Sequence, residues 1–448
     1  MNDTSARVPV RGIALASLIV LAMFVGPIGR WPWDHDEVQS LMEVGVVPMQ
    51  QYPGPLAQMQ RMGRLIPLWN AVQHTALRVL PVNEWGTRFL PAIFGALVVI
   101  VALVAAMRSR GRWFGWALLT MTAGSQTLVW LSQQNRFYSL ALIWTTLAFV
   151  ASALDDEGPL YDVLAALCAV AAVLSHNLTL VVFVLAAGAG VGAWLIGAIP
   201  THAARRLLVA AAVTSLTYLV YLRPLITGWL TGGTGGTAPI ISFVAQTGIV
   251  PVALAAFGCW YAITTPREGW LRWWSLVLVL DVLFVTTAPW TLKNWNPRYA
   301  LFFMPPVWVL GAAGVEVIAE SLRPQLRPLW ILAVFGLLLP KLGSHFIDGS
   351  RHDFRSAAQI IAHDAPDVEV MSDWPGELQY YLQPLTGQKA RYFEQRVPDS
   401  PVVVALGTNA WEPPLTIPGR TVRLLGQVAR RRFDEQSHVV RVYLVDRK

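Results

Sequence analysis

Long apolar runs separated by short polar connections fill the first 344 residues of the chain. An α-helix needs about 20 mostly apolar residues to cross the hydrocarbon layer of a membrane, and this rule predicts about eleven spans here. The predicted spans lie at 11–29, 86–107, 113–131, 137–154, 160–175, 177–199, 206–223, 247–265, 270–290, 299–320 and 328–343. The pattern therefore predicts a polytopic α-helical membrane domain.

Two segments depart from this pattern. The connection at residues 30–85 is long and rich in proline, glutamine and methionine, and we assign it to the membrane domain, 1–344. Residues 345–448 are more polar, with helical periodicity near 353–363 and apolar runs typical of buried strands in VEVMSD, PVVVAL and HVVRVYLV. These features predict a second, small soluble α/β domain at 345–448.

Composition agrees with a membrane protein. Of the 448 residues, 54% are hydrophobic and only 14% are charged, whereas a soluble domain has about 25% charged residues. The 20 tryptophans are also typical, because tryptophan gathers where lipid meets water. Walker, HExxH and Gly-x-Ser-x-Gly motifs do not occur, which argues against ATP-driven transport, zinc-protease and α/β-hydrolase functions.

The net charge of +7 is explained by membrane orientation rather than by nucleic-acid binding. Lysine and arginine keep short loops on the cytoplasmic side, and a cytoplasmic N-terminus places most of the arginines there. The short outside loops then hold Arg136, Arg223, Lys293 and Arg298. With an odd number of spans, the C-terminal domain is predicted to lie outside the cytoplasm.

The segment WPWDHDEVQS follows the first predicted span and carries the densest group of ionisable residues near a membrane boundary. It contains Asp34, His35, Asp36 and Glu37. Such side chains can act as a general base or as ligands of a divalent metal ion, for which Asp34, His35 and Asp36 are the candidates. The competing interpretation is a solvated turn beside the membrane, and the sequence establishes no cofactor.

An acidic pair after the first span, followed by a long outer connection, resembles the GT-C superfamily of membrane glycosyltransferases. The resemblance is greatest to the protein O-mannosyltransferases and the lipid A aminoarabinose transferases. Asp36 and Glu37 form the pair, and the phrase VNEWGTRFLPAIFGAL supplies Glu84 and Arg88. The phrase RLIPLWNAV departs from the family, because Arg64 stands where a metal-binding acid or histidine is usual, and this weighs against a family-like metal site.

Later phrases extend the resemblance along nearly the whole chain. QNRFYSLAL, SHNLTLVVFVLA and NPRYALFFMPPVWVL are similar to family phrases at the outer ends of spans, and DFRSAAQIIA resembles the start of the soluble domain of bacterial members. The first three phrases supply Arg136, Tyr138, His176, Asn177, Arg298 and Tyr299. Because that domain resembles those of bacterial members, the expected location is the bacterial inner membrane.

The resemblance implies an inverting transfer of a hexose or pentose from a polyprenyl phosphate to an acceptor hydroxyl at the outer face. Asp36 is the implied base, with Glu37 and Asp34 beside it. The implied donor-phosphate ligands are Arg64, Arg136, Lys293 and Arg298. The implied substrate contacts are Glu84, Arg88, Tyr138, His176, Asn177 and Tyr299. The acceptor stays open among a glycolipid, a polysaccharide and a protein.

Each of these residues also has a structural interpretation. Arg136 and Arg298 can anchor span ends among lipid headgroups, His176 can cap a helix, and the tyrosines can belong to an interfacial belt. Two other functions remain open for the whole chain. A transporter or lipid flippase would carry ionisable residues along a path through the helix bundle, and Asp281 is one ionisable residue inside a predicted span. If the chain is a non-catalytic membrane scaffold, mutations in the acidic segment should have no effect on its function.

Overall fold

A computed structural model describes most of the chain and divides it into two compact units. The described residues are 10–33, 37–38, 40–41, 66–154, 157–222, 239–265, 268–291, 297–348, 352–393, 398–409, 414–430 and 438–447. The first unit comprises Met1–Gly26, Arg64–Val72 and Arg88–Leu342, and the second comprises Pro27–Gly63, Gln73–Thr87 and Gly343–Lys448. Parts of the long outer connection therefore group with the C-terminal residues, which the sequence did not predict.

Helices dominate the chain up to residue 348. They are α1 (Val10–Val25), α2 (Pro67–Ala76), α3 (Glu84–Ser109), α4 (Arg112–Ala123), α5 (Gln126–Ser132), α6 (Tyr138–Ala153), α7 (Pro159–Ser175), α8 (Thr179–Leu195), α9 (Thr201–Thr217), α10 (Pro239–Thr247), α11 (Ile249–Thr264), α12 (Gly269–Thr291), α13 (Pro305–Ser321) and α14 (Arg327–Asp348). A π-helical turn at Tyr218–Leu222 extends α9, and 3₁₀ helices at Pro297–Phe303 and Pro324–Leu326 precede α13 and α14.

Every predicted span overlaps a helix, although two spans are interrupted: the span at 113–131 is broken in two, and the span at 299–320 begins as a 3₁₀ helix and continues as α13. The predicted helix at 113–131 stops at Gly124 and restarts as α5, because the Ser125 side chain accepts a hydrogen bond from the Leu128 N–H and caps a new helix. Among the described residues, four helices of at least 18 residues are apolar enough to cross a membrane, and five shorter helices are also apolar. Exposed aliphatic side chains such as Leu18 and Leu332 are typical of lipid-facing surfaces.

The second unit contains a five-stranded sheet. Its strands are β1 (Glu369–Ser372), β2 (Ala390–Tyr392), β3 (Val402–Asn409), β4 (Arg420–Arg430) and β5 (His438–Arg447), in the order β2-β1-β3-β5-β4. The β2-β1-β3 half is parallel and the β3-β5-β4 half is antiparallel. The three apolar runs are confirmed as β1, β3 and β5, while β4 was missed because its outward positions are polar.

Two helices, α15 (Phe354–Asp364) and α16 (Pro375–Thr386), pack on this sheet. The predicted helix near 353–363 is confirmed as α15, and the Asp353 side chain caps it by accepting from the Ser356 N–H at 3.0 Å. Alternate residues of β3 face opposite sides, so that Val403 packs against the helices while Val404 packs on the other face. A C-terminal α/β domain is therefore present.

Candidate active site

Seven residues of the first unit form what we call the arginine–aromatic cluster: Arg136, Phe137, Tyr138, His176, Arg298, Tyr299 and Phe302. All but the two phenylalanines are predicted site residues. The His176 ring lies 4.6 Å from the Phe137 ring, 5.4 Å from the Tyr299 ring and 4.8 Å from the Phe302 ring, measured between centroids. Three separate parts of the chain thus meet at one imidazole: the α5–α6 connection, the α7–α8 connection and the 3₁₀ helix before α13.

Both arginines of the cluster lie against aromatic rings. The Arg136 guanidinium carbon is 5.0 Å from the Phe137 ring centroid, and that of Arg298 is 5.4 Å from the Trp130 ring centroid. These distances allow cation–π attraction, which helps to hold each guanidinium in place. The Arg136 charge is also close enough to act electrostatically on His176 and Tyr299.

The α5–α6 connection is fixed by contacts with α1 and α3. Gln133 donates from its side chain to the carbonyl oxygens of Met23 and Phe24, at 3.1 and 3.0 Å, where α1 ends. Gly95 of α3 permits this approach, because a Cβ there would lie 2.1 Å from the Ser132 Oγ. Close packing, and not an unusual backbone angle, requires glycine at position 95. The α5–α6 connection that carries Arg136 is therefore held firmly in place.

His176 joins α7 to α8. Its Nδ1 accepts from the Leu178 N–H at 3.2 Å, and its carbonyl oxygen accepts from the Thr179 hydroxyl at 2.8 Å. The accepting Nδ1 leaves the ring proton of the neutral imidazole on Nε2. His176 is the C-cap residue of α7, and its hydrogen bonds shape the turn into α8. The half-buried Asn177 beside it accepts through its main-chain carbonyl from the Leu180 N–H at 3.1 Å.

Two further polar side chains near the cluster escaped the sequence analysis. Gln134 and Ser139 have no solvent exposure, and within the described part of the chain no hydrogen-bond partner is found for the Gln134 side-chain amide or the Ser139 hydroxyl. Buried polar groups normally have hydrogen-bond partners, so these two side chains carry hydrogen-bonding groups that no described residue uses. The uninterrupted polar run SQQNR between two apolar helices was the available signal.

The remaining predicted residues with described positions lie elsewhere. Arg88 is fully buried within α3 of the first unit. In the second unit, Glu37 is fully buried, and the Glu84 carboxylate at the start of α3 accepts hydrogen bonds from Arg355 at 2.5 Å and from the Tyr381 hydroxyl at 2.7 Å. Glu84 thus engages the C-terminal domain, a role that the sequence did not predict.

Five predicted residues lie outside the described residues: Asp34, His35, Asp36, Arg64 and Lys293. Their predicted roles stay predictions. The described residues contain no group of three or more His, Cys, Asp or Glu side chains that could hold a metal ion. A divalent ion held by Asp34, His35 and Asp36 is likewise still a prediction.

Two other buried ionisable residues of the first unit, Arg206 and Asp281, differ in their contacts. Arg206 has no solvent exposure and donates to the Asp162 carboxylate at 2.9 Å and to the Leu154 carbonyl at 2.7 Å. Asp281 in α12 is 2% exposed, and its Oδ1 has no hydrogen-bond partner among the described residues. One such acid does not trace the polar path through the bundle that transport would require.

Solved structures of membrane glycosyltransferases share the architecture of this chain. ArnT from Cupriavidus metallidurans bound to undecaprenyl phosphate aligns with a TM-score of 0.60 over 97% of this chain and 98% of its own, at 12% sequence identity. The apo state of the same protein gives a TM-score of 0.59 at 12% identity, over 96% of this chain and 98% of its own.

The Archaeoglobus fulgidus oligosaccharyltransferase, in its apo form, is also similar. It aligns with a TM-score of 0.51 at 11% identity, over 87% of this chain and 65% of its own length. Neither a protein-family model nor a curated protein sequence matches the chain. The similarity to ArnT and to the oligosaccharyltransferase confirms the resemblance inferred from the sequence, and this chain has the GT-C glycosyltransferase fold.

Proposed function

We propose that this chain is an inverting glycosyltransferase that moves a sugar from a polyprenyl phosphate to an acceptor hydroxyl. The observation that carries the proposal is the arginine–aromatic cluster, in which two guanidinium groups from distant parts of the chain each lie against an aromatic ring and both act electrostatically on Tyr299. A protein of the same fold over nearly its whole length was crystallised with undecaprenyl phosphate, which supports a lipid phosphate as the donor's carrier.

The chemistry explains why arginines are needed. As the acceptor oxygen bonds to the anomeric carbon, the bond from that carbon to the phosphate oxygen breaks, and the lipid phosphate leaves with additional negative charge. Positioned cations stabilise the charge that develops in such a transition state. Arginine suits this role because its planar guanidinium donates two parallel hydrogen bonds to phosphate oxygens. We assign this role to Arg136 and Arg298, with Arg64 and Lys293 as further predicted ligands.

The acceptor hydroxyl must lose its proton as it attacks, and we assign Asp36 as the base that takes it. This assignment follows the resemblance of the acidic pair to the family's pattern. Tyr138, His176 and Tyr299 form the aromatic part of the cluster beside the proposed phosphate ligands. The proposed setting is a bacterial inner membrane, with a cytoplasmic N-terminus and the C-terminal domain outside.

Binding of undecaprenyl phosphate to the purified full-length protein tests the phosphate assignment. A hydrogen bond to a charged group contributes about 1.5–3 kcal/mol, so Arg136→Ala and Arg298→Ala should each weaken binding by about 10- to 100-fold. Arg205→Ala is the matched control, because Arg205 is 51% exposed and pairs with Asp162 at 2.8 Å. Equal affinities in all four proteins, or no binding by the wild type, would overturn the proposal.

A further inference from the structure

We infer that a cavity in the first unit binds one acyl chain of an anionic glycerophospholipid, whose phosphate pairs with Arg108. The cavity has a volume of about 520 Å³ and lies among α3, α4, α6, α12 and α13. This volume is in the range of sites that bind small molecules, about 300–1,000 Å³. The inference goes beyond the proposed function and is independent of it, because binding of a phospholipid requires no sugar transfer.

The walls of the cavity are mostly apolar. α3 contributes aliphatic side chains such as Val101 and Ala105, and α6 contributes Phe149. On the α12 side, the Trp273 and Trp274 rings lie 5.7 and 5.5 Å from the Phe149 ring, measured between centroids. Removing apolar surface from water is favourable, so the body of this cavity suits a hydrocarbon chain.

The charged side chain that lines the cavity lies at one end of the helices. Arg108 and Ser109 are the last two residues of α3, and Trp270 lies in the first turn of α12. These two helix ends are held together, because Arg110 forms an ion pair with Glu268, the residue that precedes α12. The cavity therefore combines an apolar body with a positively charged end.

Arg108 and Arg110 differ in how their charges are balanced. Arg110 donates to the Glu316 carboxylate at 3.0 Å and also pairs with Glu268. Arg108 is exposed, and within the described part of the chain its guanidinium has neither a hydrogen bond nor an ion pair. Because a guanidinium can donate two parallel hydrogen bonds to phosphate oxygens, an anionic head group complements Arg108 in both charge and geometry.

The position of the cavity distinguishes this lipid from the proposed donor. α6 begins at Tyr138, in the arginine–aromatic cluster, and its last residue, Ala153, lines the cavity about 22 Å further along the helix. A phosphate at Arg108 is therefore not the phosphate that we assign to Arg136 and Arg298. Under the proposed orientation Arg108 faces the cytoplasm, where anionic lipids of the inner leaflet attract basic side chains.

Binding of two phospholipids to the purified, delipidated full-length protein tests the inference. Dioleoyl phosphatidylglycerol and dioleoyl phosphatidylcholine have the same acyl chains, but only phosphatidylglycerol carries a net negative charge. Native mass spectrometry should detect one tightly bound phosphatidylglycerol per chain. Its affinity should exceed that of phosphatidylcholine by about 5-fold, which is the contribution expected from one arginine beside an anionic lipid.

Arg108→Ala should remove this preference, by weakening phosphatidylglycerol about 5-fold while phosphatidylcholine changes less than about twofold. Arg323→Ala is the matched control. Arg323 is also exposed and follows the end of α13 that carries Glu316, but it does not line the cavity. Its replacement should leave both affinities within about twofold of the wild type.

Ala102→Phe tests the acyl-chain part of the site. Ala102 lines the cavity, so a phenylalanine ring there takes up space that the chain needs and should weaken both phospholipids by about 10-fold. Leu97→Phe introduces the same ring in α3 at a 37% exposed position that does not line the cavity, and should leave binding unchanged. Thermal unfolding without added lipid checks that both variants fold, and the Arg108 comparison decides if Ala102→Phe does not.

Four results would overturn the inference. They are equal binding of the two phospholipids by the wild type, an unchanged preference in Arg108→Ala, normal binding by a folded Ala102→Phe variant, and displacement of phosphatidylglycerol by an equal amount of undecaprenyl phosphate. The last result would assign the cavity to the polyprenyl chain of the donor. A failure to transfer sugar would overturn the proposed function alone and would leave these binding results standing.

Discussion

The arginine–aromatic cluster of the first unit and the Trp33–Tyr381–Glu84 network of the second unit are built from similar residue types but differ in charge. The charged members of the cluster are two arginines set against aromatic rings. The network instead pairs Arg355 directly with Glu84, and the Tyr381 hydroxyl donates to the same carboxylate while it accepts from the Trp33 backbone N–H at 2.9 Å. A group of cations suits an anionic ligand, whereas a balanced pair suits attachment within the protein.

Glu84 has different contacts in the structure from those that its motif implies. The family-like phrase VNEWGTRFLPAIFGAL implies that Glu84 contacts substrate, yet its carboxylate is engaged by Arg355 and Tyr381. The carboxylate thus has a structural use, the attachment of Arg355 and Tyr381, that requires no contact with substrate. Motif position alone does not distinguish these two uses.

Asp36→Asn should produce the largest effect. A positioned general base contributes about 10²- to 10⁴-fold to a rate, so we expect transfer to fall by that factor. Binding of undecaprenyl phosphate should stay within about threefold of the wild type, because asparagine is nearly isosteric and the phosphate is assigned to arginines. Measured turnover close to that of the wild type would remove Asp36 as the base and leave the arginine assignments standing.

Two arginine-to-lysine substitutions test whether the cluster binds the lipid phosphate while the network does not. Arg136→Lys keeps the charge but loses the planar fork, so affinity for undecaprenyl phosphate should fall by about 10-fold. Arg355→Lys makes the same change in the network and should leave that affinity within about twofold of the wild type. Titration of both proteins with the lipid phosphate measures the difference. If the two variants weaken binding equally, the distinction between ligand-binding and attachment residues is wrong.

The smallest effect concerns stability rather than activity. Asp373 follows β1, and its carboxylate oxygens each accept from the Gly407 N–H at 3.1 Å. Burial raises the pKa of Asp373 to about 7, and hydrogen bonds from Gly407 and Ser372 offset only part of that rise. The folded domain therefore binds a proton more tightly than the unfolded chain does.

The sign of the pH dependence follows from this difference. The stabilising contribution of protonated Asp373 is complete below its ordinary pKa of 3.8 and is lost as the pH rises through about 7. Asp373→Asn cannot ionise, so it should raise the Tm of the second unit by about 5 °C at alkaline pH and by less as the pH falls. Thermal unfolding of both proteins at several pH values tests this, and a constant difference would contradict it.

The sequence was informative where local periodicity decides structure. Long apolar runs predicted the spans, and short apolar runs typical of buried strands predicted β1, β3 and β5. It failed where local signals were weak or mixed, as in β4, whose outward side is polar, and at the break after Gly124 in the predicted span at 113–131. A serine cap is a short signal inside a long apolar run, so hydropathy averaged over the run hides it.

For the candidate site, the family-like phrases at span ends predicted Arg136, Tyr138, His176 and Tyr299 as site residues, and the structure brings these four residues together. The polar run SQQNR marks the place near Gln134 and Ser139, but it does not show that these two residues are buried, because buried and solvated polar residues look alike in sequence. Likewise, Tyr380 and Tyr381 resembled ordinary surface residues of an amphipathic helix. Both contact Trp33, which lies 348 residues before Tyr381 in the chain.

The sequence by itself determined that this protein crosses a membrane repeatedly and carries a C-terminal α/β domain, because burial in lipid and burial in a sheet each leave a periodic pattern along the chain. Only the tertiary structure decided which polar residues meet. His176 joins three parts of the chain, and Tyr381 joins Trp33 to Glu84, because hydrogen bonds and ring contacts depend on distances in space that no local pattern encodes.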